Sequence, residues 1–158
     1  MSARSMRARR LGPVAAGLAV LALGVGVATA AARSHEAYTV SATLAAKNEV
    51  PRPTGVPARA RGAFTGTLTT GAKATLRWKL TFSGLSGAAT QAHVHMGRPG
   101  TSGNVVIPLC GPCRSGASGT ARITSSVADA IESGKAYVNV HTAKNGAGEI
   151  RGQIAARG

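Results

Sequence analysis

His93 and His95 stand two residues apart in Ala92-His93-Val94-His95-Met96. In an extended strand, residues at that spacing share one face. His141 closes a second β-type stretch, on the same side of it as Tyr137 and Asn139. Three imidazoles brought together from neighbouring strands would suit a single Zn or Cu ion. Pointed apart, the same rings would simply bond to backbone and carboxylate groups. Glu149 and Arg151 alternate along Gly148-Glu149-Ile150-Arg151-Gly152 and share a face. They could pair with each other, or, with Asn139, orient the histidines, because a partner on one ring nitrogen fixes the tautomer.

Two further groups carry chemistry. Cys110-Gly111-Pro112-Cys113 matches the redox string of thioredoxins, in which the first Cys gains acidity at a helix N-terminus. Here Arg114-Ser115-Gly116-Ala117-Ser118-Gly119 follows, which will not hold a helix, and no βαβ pattern surrounds it. The expectation is a small loop disulfide formed in an oxidising compartment. His35 depends on processing. A chain starting at Arg33 would have a free amine, two amides and the His35 imidazole within reach of one Cu(II) or Ni(II) ion, in the square-planar geometry those ions prefer. Any other start leaves His35 in a frayed terminus.

The elements that must position these residues follow from length and patterning. The chain has 158 residues, 44% hydrophobic and 3% aromatic, with 21 Gly and 7 Pro. That describes one turn-rich domain and not a helical bundle. Residues 1–32 read as a signal peptide: a basic start through Arg10, an uncharged run, and the small-residue pattern Ala28-Thr29-Ala30. An uncleaved membrane anchor is the alternative, since the run is long enough to span. The Arg9-Arg10 pair lacks the Ser or Thr expected before a twin-arginine signal. Residues 33–37 form a short linker, and the protein is expected outside the cytoplasm, secreted or in the cell envelope.

The charge sum is 19 − 5 = +14. Arg52, Arg59 and Arg61 fall in a Pro-rich stretch, and Arg77 and Lys79 on one strand face. Nucleic acid is not expected, because neither stacking aromatics nor a recognition helix accompanies these charges. A solvated basic face, or attraction to an anionic polymer of the envelope, is the reading they support.

From Tyr38 onward the apolar period is two. Leu76, Trp78, Leu80 and Phe82 alternate with Thr75, Arg77, Lys79 and Thr81, the clearest half-buried strand. Further strands are expected over 38–44, 64–69, 90–96, 104–108, 119–124, 135–141 and 149–154. Gly71-Ala72-Lys73 forms a hairpin turn, and 45–62 a long crossover loop. Ser125 or Ser126 can cap a short helix over 127–133, which Gly134 would end. The fold class is all-β: an antiparallel, Greek-key-like sandwich of about eight strands with one short helix, behind the signal segment.

Taken in order, several strings resemble the CHRD domain, the module of chordin that also occurs in exported bacterial proteins. They are Asn48-Glu49-Val50-Pro51, Gly84-Leu85, Ala92-His93-Val94-His95-Met96-Gly97, Tyr137-Val138-Asn139-Val140-His141-Thr142 and Gly148-Glu149-Ile150-Arg151-Gly152. The resemblance covers the domain expected over 38–158. It departs at Arg52, where the family often has a second Pro, and the Cys pair is not general to the family. It does not specify a biochemical role, and the reading of the chain is a non-enzymatic, exported module for binding or envelope structure. His93-Val94-His95 also resembles a strand of the Cu/Zn superoxide dismutase sandwich. The further histidines, zinc-binding Asp and catalytic Arg of that enzyme are not matched as a set, so dismutation is not expected. No cofactor is demanded, but copper or zinc on His93, His95 and His141 is the alternative function.

Overall fold

A computed structural model describes residues 36–158. The signal segment, most of the linker and His35 lie outside the described residues. Among the described residues, nine strands and one α-helix form. The strands are β1 (Ala37–Ala45), β2 (Arg61–Thr69), β3 (Thr75–Ser83), β4 (Ala89–Met96), β5 (Val105–Cys110), β6 (Ala117–Arg122), β7 (Ala136–Thr142), β8 (Ile150–Gln153) and β9 (Ala155–Arg157). The helix α1 spans Ser125–Glu132. No helix among the described residues is long and apolar enough to cross a membrane.

All pairings are antiparallel, in the order β5-β4-β7-β8-β1-β2-β3-β6, with β9 also on β1. In the meander β1-β2-β3, the long stretch 46–60 joins β1 to β2 and a short turn joins β2 to β3. The chain then crosses to the hairpin β4-β5, returns to β3 as β6, and crosses again through α1 to place β7 between β4 and β8. This is the expected Greek-key-like arrangement, wrapped into a nearly closed sheet. The alternation read along the chain puts Val40, Leu44, Phe64, Leu68, Leu76, Leu80, Val94, Val138, Val140 and Ile150 inside. Each buried side chain of that size contributes roughly 1.5–3 kcal/mol.

Several elements differ from expectation: β2 begins at Arg61, inside the stretch expected as loop, and β6 lies two residues earlier than expected, over Ala117–Arg122. Thr124, not Ser125 or Ser126, caps α1: its hydroxyl accepts from the Val127 N–H. Gly134, at φ +67°, does end the helix, and the N–H groups of Gly134 and Lys135 return to the carbonyls of Ile131 and Ala130. Val127, Ala128 and Ile131 join the core. The expected last strand over 149–154 starts one residue later and divides. β8 pairs with β7 through Gln153, Ile154 donates its N–H to Ala136, and β9 then runs beside Thr39–Ser41 of β1.

Cys110 and Cys113 form a disulfide in the loop between β5 and β6. That loop lies at the seam of the sheet. Cys113 donates its N–H to Ala89, at the start of β4, and Gly116 to Leu80 of β3. The Ser115 hydroxyl accepts from the Phe82 N–H. So small a ring constrains few unfolded conformations, and reduction is expected to cost at most about 2 kcal/mol. Denaturant unfolding with and without reductant measures this; a loss of half the total stability would refute it.

Candidate functional site

β7 is buried on both faces from Ala136 to Thr142. Ala136, Val138 and Val140 enter the core; Tyr137, Asn139 and His141 take the other side. Cross-strand register sets their neighbours. His93, Asn139 and Arg151 form one row across β4, β7 and β8, and His95, Tyr137 and Gln153 the next. An outer sheet face would ordinarily be wet, but loops roof this one. Asn48 donates to the Arg151 carbonyl, Ser102 to that of Val50, and Asn145 holds Thr54 through its amide, giving and receiving one bond. The proline-rich stretch 46–60 is therefore the lid of a polar layer as well as a crossover.

The three histidines meet in that layer. Their ligating nitrogens all lie within 4.8 Å of one another. His95 Nδ1 is 2.8 Å from the Gly103 carbonyl and His141 Nδ1 is 3.0 Å from that of Gly146. A carbonyl only accepts, so in the neutral rings both Nδ1 atoms carry the proton and both Nε2 atoms keep the lone pair. His141 Nε2 lies 3.1 Å from His93 Nδ1. His95 Nε2 is buried with no hydrogen-bond partner. Burial lowers the pKa of His93, with the nearby His141 and His95 adding to the effect. It lowers His141 too, partly offset by the bond to Gly146, while His95 lowers it further. His93 and His141 thus favour neutral imidazole, the form that binds metal.

Gly103 is fixed by the geometry around His95. A Cβ there would fall 1.5 Å from the Met96 carbonyl oxygen, so only glycine lets this loop lie against the end of β4. Next to His95, Tyr137 stacks nearly parallel, 8° between planes, with 4.9 Å between centroids. The Arg151 guanidinium sits 3.3 Å from the Tyr137 centroid. Arg151 is buried, and the one hydrogen bond of its side chain among the described residues runs from Nη2 to the Arg98 carbonyl. Nη1 has none.

Glu149 and Arg151 do not pair. Glu149 instead accepts from the Ser86 N–H and hydroxyl, the Thr142 hydroxyl and the Asn145 amide. Burial alone would raise its pKa, yet these donors hold the carboxyl below its usual value. It ties the loop before β4 to the loop before β8 and to the end of β7, and none of these bonds goes to a histidine. Asn139 lies between His93 and Arg151 in register, and its Oδ1 has no partner.

The carboxyl near Arg151 is Glu49, which the residue patterns had not marked as a site residue. Its only pointer was the string Asn48-Glu49-Val50-Pro51. Glu49 is buried against Gly148, where a Cβ would come within 2.4 Å of Oε2. Burial pushes its carboxyl up to about 7, against the opposing pull of the Val50 N–H, the Arg151 charge and Asn139. A carboxyl with a raised folded pKa holds its proton while the unfolded chain, titrating at about 4.3, has lost it. Its contribution to stability therefore falls as pH rises from about 4.3 to about 7, then levels off. Glu49→Gln is expected to flatten that part of the stability–pH curve; unchanged slope in urea unfolding across the window would contradict it.

The remaining basic residues marked from the sequence, Arg52, Arg59, Arg61, Arg77 and Lys79, are all exposed. Comparison with curated proteins and with solved structures finds no match for the chain. The family model of the CHRD domain matches residues 40–154, from the middle of β1 to the end of the polar layer. The chain belongs to the CHRD domain family.

Proposed function

We propose that the chain is an exported module that binds one zinc or copper ion through His93 Nδ1, His95 Nε2 and His141 Nε2. The observation that carries this is the buried, unpartnered Nε2 of His95, aimed among two other ring nitrogens within 4.8 Å. Backbone carbonyls on the far side of His95 and His141 are the orienting partners that metal-bound histidines ordinarily have. His93 would carry its proton on Nε2, which leaves the Nδ1 lone pair free to complete the set. Ligands at 2.0–2.1 Å in tetrahedral array stand about 3.3–3.4 Å apart. His93 Nδ1 and His141 Nε2 already stand near this spacing, at 3.1 Å, so the wider separations in the cluster are the ones that must close. Three nitrogens leave a fourth position for water or for a donor from a bound partner.

Metal content after dialysis against zinc or copper tests this. We expect one ion per chain, and none for His95→Ala. Wild-type protein that retains no metal would overturn the reading. Zinc is the cleaner probe, because an N-terminal copper motif at His35 would favour Cu(II) or Ni(II).

A second reading rests on the exposed face of β2, β3 and β6. Arg77, Lys79 and Arg122 stand there among Thr65, Thr67, Ser118 and Thr120, with no acidic residue in the paired rows. This supports loose, salt-sensitive attraction to an anionic envelope polymer.

A further inference from the structure

A cavity of about 500 Å³ opens beside the polar layer, on the opposite side of Asn139 in register from His93. Lys47, Glu49, Arg52, Pro99, Arg151 and Gln153 line it. Three of these have buried polar atoms with no hydrogen-bond partner: Glu49 Oε2, Arg151 Nη1 and Gln153 Oε1. Buried polar groups are almost always paired, so three at one cavity point to a missing ligand. We propose that this cavity binds an acidic sugar, a hydroxylated ring carrying a carboxylate, with the carboxylate on Arg151 Nη1 and ring hydroxyls on Gln153 Oε1 and Glu49.

The polarity of each group specifies the class. Gln153 gives both amide hydrogens away, at 2.8 Å each, to the carbonyls of Gly97 and Gly134. Its Oε1 can therefore only accept, and it asks for a hydroxyl. Arg151 is held rigid over Tyr137 and has donors to spare. Lys47 and Arg52, both exposed, add two positive charges at the rim, against one buried carboxyl. The balance favours an anion and disfavours the ammonium of an amino acid. The volume lies in the range of small-ligand pockets, roughly 300–1,000 Å³.

The test is titration of the full exported chain with D-glucuronate, glucose, inorganic phosphate and L-glutamate by calorimetry. The cavity uses none of the three histidines, so metal-free protein serves and the outcome does not bear on the metal site. We expect glucuronate to bind more tightly than the other three. Removing both rim charges in Lys47→Ala/Arg52→Ala should weaken it by about tenfold or more without lowering the melting temperature. Gln153→Leu should erase the preference for glucuronate over a simple carboxylate such as acetate. Absence of glucuronate binding, tighter binding of any of the other three, or a rim variant that binds as well as wild type would each overturn the proposal.

Discussion

Zinc at a thousand times its dissociation constant should stabilise the folded chain by about 4 kcal/mol, because the ion binds a site that only the folded sheet assembles. For a domain of this size, that moves the melting temperature by on the order of 15 °C. The gain should vanish in His95→Ala and in His141→Ala, whose rings come from β4 and β7 respectively. Both variants also lose a bond to a loop carbonyl, Gly103 or Gly146, so their metal-free melting temperatures are the proper baselines. What matters is the zinc-dependent difference, measured by calorimetry across a range of zinc concentrations. A wild-type curve that ignores zinc would end the metal reading whatever the variants do.

Glu149→Gln should be the most damaging conservative change in the polar layer. It keeps the shape of the side chain but removes the charge and turns a hydrogen-bond acceptor into a donor amid four donors. Hydrogen bonds to a buried charge contribute about 1.5–3 kcal/mol each, and they are not additive. We expect a total loss of about 2–4 kcal/mol. The pH dependence has a definite sign. The folded pKa of Glu149 is depressed, so its contribution is present above the unfolded value of about 4.3 and is lost as pH falls through the lower folded value. Wild type and Glu149→Gln should therefore converge in acid. A gap that stays constant from neutral pH to pH 3 would show that the carboxylate charge contributes nothing.

The sheet and the histidines were legible in the residues, and the layer that holds them was not. Strand β3 announces itself because one face is wet and one is dry, so polarity alternates with the backbone. The same rule brings His93 and His95 to one side. It fails for β7, whose outward residues Tyr137, Asn139 and His141 look solvent-facing in sequence yet are buried beneath loops. It fails again at Glu149, which stands before β8 begins and follows Gly148 at φ +136°, so alternation with Arg151 does not carry across. Glu49 had no periodicity to betray it. It acts from a loop about a hundred positions away from Arg151, and only contact in three dimensions joins them. The short helix was visible from its ends, but three adjacent hydroxyl residues left the cap ambiguous by one position.

The seam at the disulfide loop has a consequence for crowded protein. Unpaired strand edges are templates on which another chain can add a strand. Here the two terminal strands, β5 and β6, are six residues each. Pro108 interrupts β5 and has no N–H to offer. Beyond their ends, the loop itself occupies the Ala89 and Leu80 carbonyls. Neighbouring copies are left with little backbone to trade, so the fold is poorly suited to strand exchange or fibril growth even when packed at high density.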